Sequence, residues 1–197
     1  MTAARWGAGF SAAGRFVADI EAAATGQGQL RPGYVLAGDE VFLLDRCRAA
    51  VLKALVPPDL RQFCLSDLDL AENSIFEILD RAQTPSLMAP FQAIFVRNLR
   101  QLYTRGAKKD EFAAIDRYFR SPNPQALILF VADFLRITPD ARRMDMDDRN
   151  RFERLTETLG EHCGIVELAR VSDEDAMRWA VATAQDEIGR ASCRERV

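Results

Sequence analysis

The residues whose types most clearly suggest ligand binding or catalysis are Gly38-Asp39-Glu40, which follow the first predicted strand. A glycine turn between a parallel strand and a helix is where phosphates bind, because amides at the helix N-terminus face the anion. A P-loop would add a second glycine followed by Lys and Ser or Thr. Here no second glycine follows within the turn, the first lysine is Lys53, and two carboxylates would repel phosphate. We therefore expect no nucleotide chemistry; the alternative is an ATPase with a degenerate loop.

The same two carboxylates could instead form the acidic magnesium pair of a phospho-receiver domain. Such a domain needs an acceptor aspartate at the end of its third strand, and that strand ends here in Arg97-Asn98. A receiver-like regulatory module thus lacks its essential residue. We interpret Asp39 or Glu40 as a cap of the following helix, where a carboxylate favours the helix dipole.

Other polar residues give weaker signals for catalysis. Asp133 follows an apolar strand, as a metal-holding acid of an ATPase would, but no phosphate-binding loop accompanies it. The sole histidine, His162, is adjacent to Cys163, and a catalytic pair with Cys47 or Cys64 is formally possible. The spacing gives no support for such a pair, so we predict no catalytic residue.

Metal sites are also not predicted. Asp145, Asp147 and Asp148 resemble the start of a calcium loop, but Asn150 and Thr156 replace its glycine and terminal glutamate. We expect these acids to form a solvated helix start. The four cysteines lack C-x-x-C spacing, which argues against zinc and against a disulfide framework. No cofactor is expected.

An unusual apolar turn lies at Thr84-Pro85-Ser86-Leu87-Met88-Ala89-Pro90-Phe91. The prolines restrict the backbone on either side of Leu87 and Met88, so the turn cannot prolong the preceding helix. Two apolar side chains on such a turn could insert into a partner's pocket. The alternative is that both fold back onto the protein's own core, as most apolar residues do.

Apolar periodicity predicts strands that alternate with helices. The predicted strands are 34–37, 62–65, 93–96, 126–132 and 164–168. The predicted helices are 10–24, 41–55, 72–83, one around Phe112 to Phe119, 148–159 and one capped by Ser172 or Asp173. This alternation is typical of a doubly wound α/β fold with a parallel sheet. The continuously apolar segment 126–132 should be a central strand.

Composition excludes several classes of protein. The net charge of −3, with basic residues mixed among acids, gives no global footprint for nucleic acid. No apolar run approaches the roughly 20 residues of a membrane helix. Charged residues interrupt any signal-peptide core near the N-terminus, so we expect a cytoplasmic protein with reduced cysteines.

Three segments carry a resemblance to a known family. They are Pro32–Leu44 (PGYVLAGDEVFLL), Ala82–Val96 and Met177-Arg178-Trp179-Ala180. In their order and spacing, the chain resembles the delta subunit of the bacterial replicative clamp loader, part of the DNA polymerase III holoenzyme. The resemblance covers nearly all of Phe10 to Asp186.

The resemblance implies an AAA+-like α/β sheet that has lost ATP binding, followed by a small helical lid and a helical collar. The expected layout is an N-terminal helix and lead-in at 1–28, an AAA+-like domain at 29–170 and the start of the lid at 171–187. We expect the collar to lie outside this sequence. Residues 188–197 resemble the translation of a sequencing adapter, and we expect them to be an artefact.

The resemblance also implies a function in DNA replication. The family opens the sliding clamp by inserting two adjacent apolar residues, and these positions match Leu87 and Met88, preceded by Ser86. Methionine replaces the usual phenylalanine. The implied partners are the sliding clamp (beta), the gamma/tau and delta prime subunits, and primer-template DNA through the assembled complex. The chain would have no catalytic residues of its own, although it would serve a DNA-directed DNA polymerase.

Overall fold

The computed structural model describes residues 7–104 and 108–194, without side-chain detail for 141 and 185–194. The helices are α1 Ala8–Ala24, α2 Val41–Leu55, α3 Arg61–Cys64, α4 Ile75–Gln83, α5 Lys109–Arg120, α6 Met146–Leu159 and α7 Asp173–Arg194. The strands are β1 Gly33–Ala37, β2 Leu65–Asp69, β3 Gln92–Arg97, β4 Ala126–Ala132 and β5 Gly164–Glu167. Short 3-10 helices lie at Pro58–Leu60, Leu99–Tyr103 and Ala141–Arg143.

The five strands form one parallel sheet in the order β2-β3-β4-β1-β5. Register brings Val35 of β1 opposite Phe130 of β4 on one side and Ile165 of β5 on the other. The predicted α/β class is confirmed, and β4 lies at the centre as its apolar sequence predicted.

Helices cover both faces of the sheet. The chain moves one way from β1 to β2 through α2, and the opposite way from β2 to β5 through α4, α5 and α6. Because parallel crossovers are right-handed, these two directions place the helices on opposite faces. One apolar cluster packs α4, α5 and α6 against Ile94, Ile128 and Phe130; the other packs α1 and α2 against Phe95, Leu127 and Leu129.

The position of the second strand differs from the prediction. Residues 62–65 were expected to be extended, but α3 occupies Arg61–Cys64 and β2 begins at Leu65. Among the described strands, β2 is an edge strand paired with β3 alone, so its polar residues can face solvent. Asp67, for example, pairs with Arg48 of α2 at 2.6 Å. The prediction followed the apolar residues of 62–65, and most of the polar strand lies after them.

Helix α4 starts later than predicted, at Ile75 instead of residue 72. Ser74 accepts a hydrogen bond from the Glu77 amide, and Glu77 accepts one from the Ser74 amide, which forms a capping box. This reciprocal pairing fixes the first turn.

Helix α7 extends further than the sequence pattern indicated. The pattern broke at Ile188, yet α7 continues to Arg194. Gly189 costs a helix only about 1 kcal/mol, and Arg190 and Ala191 beside it favour helix. Residues 195–197 of the proposed adapter segment lie outside the described residues. Across the described ranges, no helix is long and apolar enough to cross a membrane.

The turn after β1 depends on glycine. Gly38 has φ +140°, and a Cβ at this position would lie 2.2 Å from the carbonyl oxygen of Leu168. Gly26, by contrast, has φ +72° with open space around it.

We expect Gly38→Ala to lower the free energy of unfolding by about 3 kcal/mol, because it combines a glycine-only backbone conformation with a backbone clash. Gly26→Ala is the matched control and should cost about 1 kcal/mol, from the left-handed conformation alone. Urea denaturation followed by circular dichroism measures both. Equal losses for the two variants would contradict the importance of the Gly38–Leu168 contact.

Candidate functional site

The crevice at the carboxyl end of β1 is where doubly wound sheets bind nucleotides. In this protein, two residues that follow β5 form hydrogen bonds with the carboxylates of this crevice. Arg170 donates to Asp39 with an Nη2–Oδ2 distance of 2.7 Å, and this hydrogen bond raises the pKa of Arg170. The Val171 amide donates to Glu40 at 3.1 Å. The carboxylates that would repel a phosphate are therefore used to hold another segment of the chain.

The expected capping role of Asp39 and Glu40 is wrong. Glu40 occupies the N-cap position of α2, but its side chain makes no capping hydrogen bond. It instead accepts from Val171, 131 residues away in sequence. Local sequence could not reveal this partner, because the contact depends on β5 lying next to β1.

An aromatic cluster closes the same end of the molecule. Phe42 at the start of α2 packs edge-on against Trp179 of α7, with 4.7 Å between ring centroids. Phe10 of α1 stacks on the same indole at 5.9 Å, and the Arg46 guanidinium lies 5.6 Å from its centroid. α7 is thus held on α1 and α2 by ring contacts.

The strand order excludes the receiver-like alternative, because receiver domains have the order 2-1-3-4-5. At the position of the phospho-acceptor, β3 ends in Arg97 and is followed by Asn98 in the left-handed conformation, with φ 57°. The Asn98 amide donates to the Asp69 carboxylate at 2.7 Å. Asn98 therefore stabilises the turn, and its side chain has no carboxylate that could accept a phosphoryl group.

The structure does not assemble a Cys/His pair. Cys47 and Cys64 belong to the cluster on the α1 and α2 face, whereas His162 stacks on Phe119, which packs on the other face. His162 Nε2 lies 3.2 Å from the Asp116 carboxylate. Burial raises the pKa of Cys47 and of Cys163 to about 12, so neither thiol is a nucleophile near neutral pH.

The acidic residues before α6 have structural roles. Asp145 caps α6 by accepting from the Asp147 amide at 2.9 Å. Asp148, expected to be solvated, is instead buried and pairs with Arg151 at 3.1 Å. Asp133 is exposed. Within residues 7–104 and 108–194, no group of three or more His, Cys, Asp or Glu side chains could hold a metal ion.

The apolar turn between α4 and β3 projects into solvent. Leu87 is 99% exposed and Met88 is 62% exposed, so neither packs on the protein's own core. The Ser86 hydroxyl accepts a hydrogen bond from the Met88 amide at 3.2 Å, which shapes the turn between the two prolines. The alternative of two core residues is therefore wrong.

Hydrogen bonds hold this turn and the end of helix α4 that precedes it. The Gln92 side chain donates to the Thr84 carbonyl at 2.7 Å, and Asn123 donates to the Ala82 carbonyl at 3.0 Å. Ala89 is buried in the cluster on the α1 and α2 face, against which Phe91 also packs. The exposed pair is thus carried on a fixed support instead of a free loop.

The turn precedes β3, so it lies at the amino end of the parallel sheet. The crevice around Asp39 lies at the carboxyl end. The chain therefore has two separate candidate regions: a crevice at the carboxyl ends of the strands whose carboxylates bond to its own residues, and an exposed apolar pair at the opposite end.

Comparisons with known proteins agree on one family. The sequence model of the family described as DNA polymerase III, delta subunit matches residues 34–139, just over half of the chain. The DNA polymerase III subunit delta of Bacillus subtilis (strain 168) is 24% identical over 166 residues, which are 82% of this chain and 44% of the relative. The chain thus spans less than half the length of that relative.

A solved structure shows the same fold. The Bacillus subtilis DNA clamp loader delta protein superposes with a TM-score of 0.61 at 24% sequence identity. The superposition covers 87% of this chain and 48% of that one.

The filled crevice predicts that the chain does not bind ATP. Magnesium-ATP at about 1 mM, the upper end of ordinary substrate affinities, should give no heat in isothermal titration calorimetry. An intact P-loop ATPase serves as the positive control. Saturable binding would contradict the role assigned to Asp39 and Glu40 and would favour the ATPase alternative.

Proposed function

The chain belongs to the DNA polymerase III delta subunit family, and on that basis we propose that it binds the sliding clamp and opens the ring for loading onto primer-template DNA. The single observation that carries this proposal is the adjacent pair Leu87 and Met88, exposed on an anchored turn. Exposed apolar pairs on a rigid support are typical anchors of protein–protein interfaces.

In the proposed contact, Leu87 and Met88 insert into an apolar pocket beside the clamp's subunit interface, and Ser86 shapes the turn behind them. The unbranched thioether of Met88 can adapt to a pocket that accepts phenylalanine in related proteins. Each anchor contributes about 2 kcal/mol when it is buried. If the pair binds the open ring more tightly than the closed ring, that difference moves the clamp toward the open state.

The turn is preorganised for this contact. Thr84, which precedes Pro85, has φ −82° and ψ 116°, the extended conformation that a following proline favours. The Ser86 hydroxyl holds the Met88 amide. A turn fixed in this way loses less conformational entropy on docking than a flexible one.

The proposed role needs no nucleotide in this chain. Asp39 and Glu40 are already bonded to Arg170 and Val171, so an ATP-driven movement would have to come from other clamp-loader subunits. We propose the gamma/tau and delta prime subunits as those partners, with primer-template DNA engaged by the assembled complex. This role places the protein in the cytoplasm with the replication machinery.

Replacing both anchors tests the proposal directly. Leu87→Ser combined with Met88→Ser should weaken clamp binding by about 4 kcal/mol, or about a thousandfold in Kd, because two apolar anchors are lost. Surface plasmon resonance against immobilised clamp measures the affinity. Both side chains are exposed, so the circular dichroism spectrum should not change.

Two other methionines provide a matched control. Met146 and Met177 are 71% and 70% exposed and lie on α6 and α7. Met146→Ser with Met177→Ser removes similar apolar area elsewhere and should leave clamp affinity unchanged. Equal losses in the two double variants, or none in the Leu87/Met88 variant, would overturn the proposed site.

The prolines give a finer test of preorganisation. Pro85→Ala with Pro90→Ala should cost about 1 kcal/mol, roughly fivefold in Kd, because the free turn gains conformations that binding must remove. The same resonance assay, with temperature varied, should show the loss as a less favourable entropy. Unaltered affinity would remove the preorganisation argument but not the assignment of Leu87 and Met88.

A further inference from the structure

A basic cavity lies at the carboxyl ends of β3 and β4, away from the apolar turn. Its volume is about 350 Å³, and its described lining is Arg100, Tyr103, Thr104, Phe134, Arg151 and Arg154. Arg100 and Tyr103 belong to the 3-10 helix after β3, Phe134 follows β4, and the two other arginines project from α6. No carboxylate is part of this lining.

The positive charge of the cavity is largely uncompensated. Among the described residues, Arg100 and Arg154 have no carboxylate within 4.0 Å, and Arg151 shares the buried carboxylate of Asp148 at 3.1 Å. The chain as a whole carries a net charge of −3. Three arginines around one cavity therefore create a local positive field that the composition does not indicate.

Two aromatic rings in the cavity wall provide surfaces on which a base can stack. Tyr103 is half-buried, its hydroxyl is bonded to Thr158 at 2.7 Å, and its ring lies 6.4 Å from that of Phe134. The Arg154 guanidinium lies 5.6 Å from the Tyr103 ring centroid. The rings are thus fixed in the wall, and a planar guanidinium lies beside them. Planar cations and rings in one wall are the surfaces on which nucleic-acid bases stack.

We propose that this cavity binds one nucleotide unit of single-stranded DNA. Arg100 and Arg151 would bind the phosphate through guanidinium hydrogen bonds, and the base would lie against Phe134 and the Arg154 guanidinium. A cavity of about 350 Å³ accommodates one nucleotide but not a duplex. The choice of DNA as the source of that nucleotide rests on the proposed function; the phosphate-and-base chemistry rests on the cavity alone.

A free nucleotide has the same chemistry but fits this cavity less well. The lining, as far as the described residues form it, has no glycine-rich loop, no lysine and no carboxylate to hold magnesium, and the Thr104 hydroxyl already donates to the Gln101 carbonyl at 2.9 Å. These are the groups that bind a triphosphate with its metal. A nucleotide unit within a strand carries one phosphate and needs none of these groups.

The test measures binding of the full chain to a fluorescein-labelled oligothymidylate of about 15 nucleotides, a length within known single-strand site sizes. Fluorescence anisotropy at about 50 mM salt should give a Kd in the range of about 10⁻⁴ to 10⁻⁶ M. Arg100→Ala with Arg154→Ala should weaken binding about tenfold or more. It should also reduce the magnitude of the slope of log K against log salt by about 0.7, because Arg100 supplies one of the two phosphate contacts and Arg154 contacts the base.

Arg61→Ala with Arg81→Ala is the matched control. It removes the same charge from two exposed arginines near the amino end of the sheet, and it should leave DNA affinity within about twofold. Equal losses in both double variants would show a diffuse charge effect and overturn the cavity proposal. Absence of binding by the unmodified chain at low salt would overturn it as well.

Two further measurements separate the possible ligands. An abasic oligonucleotide should bind more weakly than oligothymidylate, because it keeps the phosphates and loses the stacking bases. Thymidine triphosphate with magnesium at about 1 mM should not displace the oligonucleotide, because the described lining lacks the groups that bind a triphosphate with its metal. Displacement would assign the cavity to free nucleotides instead. The Arg100/Arg154 variant should retain clamp binding, and the Leu87/Met88 variant should retain DNA binding, so failure of either proposal can be recognised separately.

Discussion

Burial of β4 on both of its faces is the constraint on which the rest of the structure depends. Leu127, Ile128, Leu129 and Phe130 are all fully buried, and alternate side chains enter the two apolar clusters. A parallel strand in this position needs helices on both faces to cover it. Right-handed crossovers then assign α2 to one face and α4, α5 and α6 to the other, so the layout of the sheet follows from covering its centre.

That layout separates the two ends of the sheet. At the carboxyl end, an ordinary doubly wound fold would bind a nucleotide, but here Asp39 is bonded to Arg170 and Phe42 packs on Trp179. These contacts occupy that end of the sheet with the chain's own residues. At the amino end, the anchored connection between α4 and β3 presents apolar side chains to solvent.

Exposure of Leu87 and Met88 to water is unfavourable, and the contacts around the turn explain why both side chains stay exposed. Apolar side chains in a turn normally fold inward, because contact with water is unfavourable. Here the buried Ala89 and the Gln92–Thr84 hydrogen bond fix the base of the turn on the sheet. The short, proline-bounded segment between these anchors leaves Leu87 nowhere to turn inward, which accounts for its almost complete exposure.

The sequence by itself determined the α/β class, the central strand and the position of the apolar turn, because continuous apolar runs, periodicity and proline are local signals. It misplaced β2, since an edge strand such as Leu65–Asp69 can be polar on its exposed positions. The prediction that Glu40 caps α2 through its side chain was also wrong. Only the tertiary structure decided that Glu40 bonds Val171, and that arginines from α6 surround the cavity beside Arg100. These groups are distant in the chain, and only the packing of the helices on the sheet brings them together.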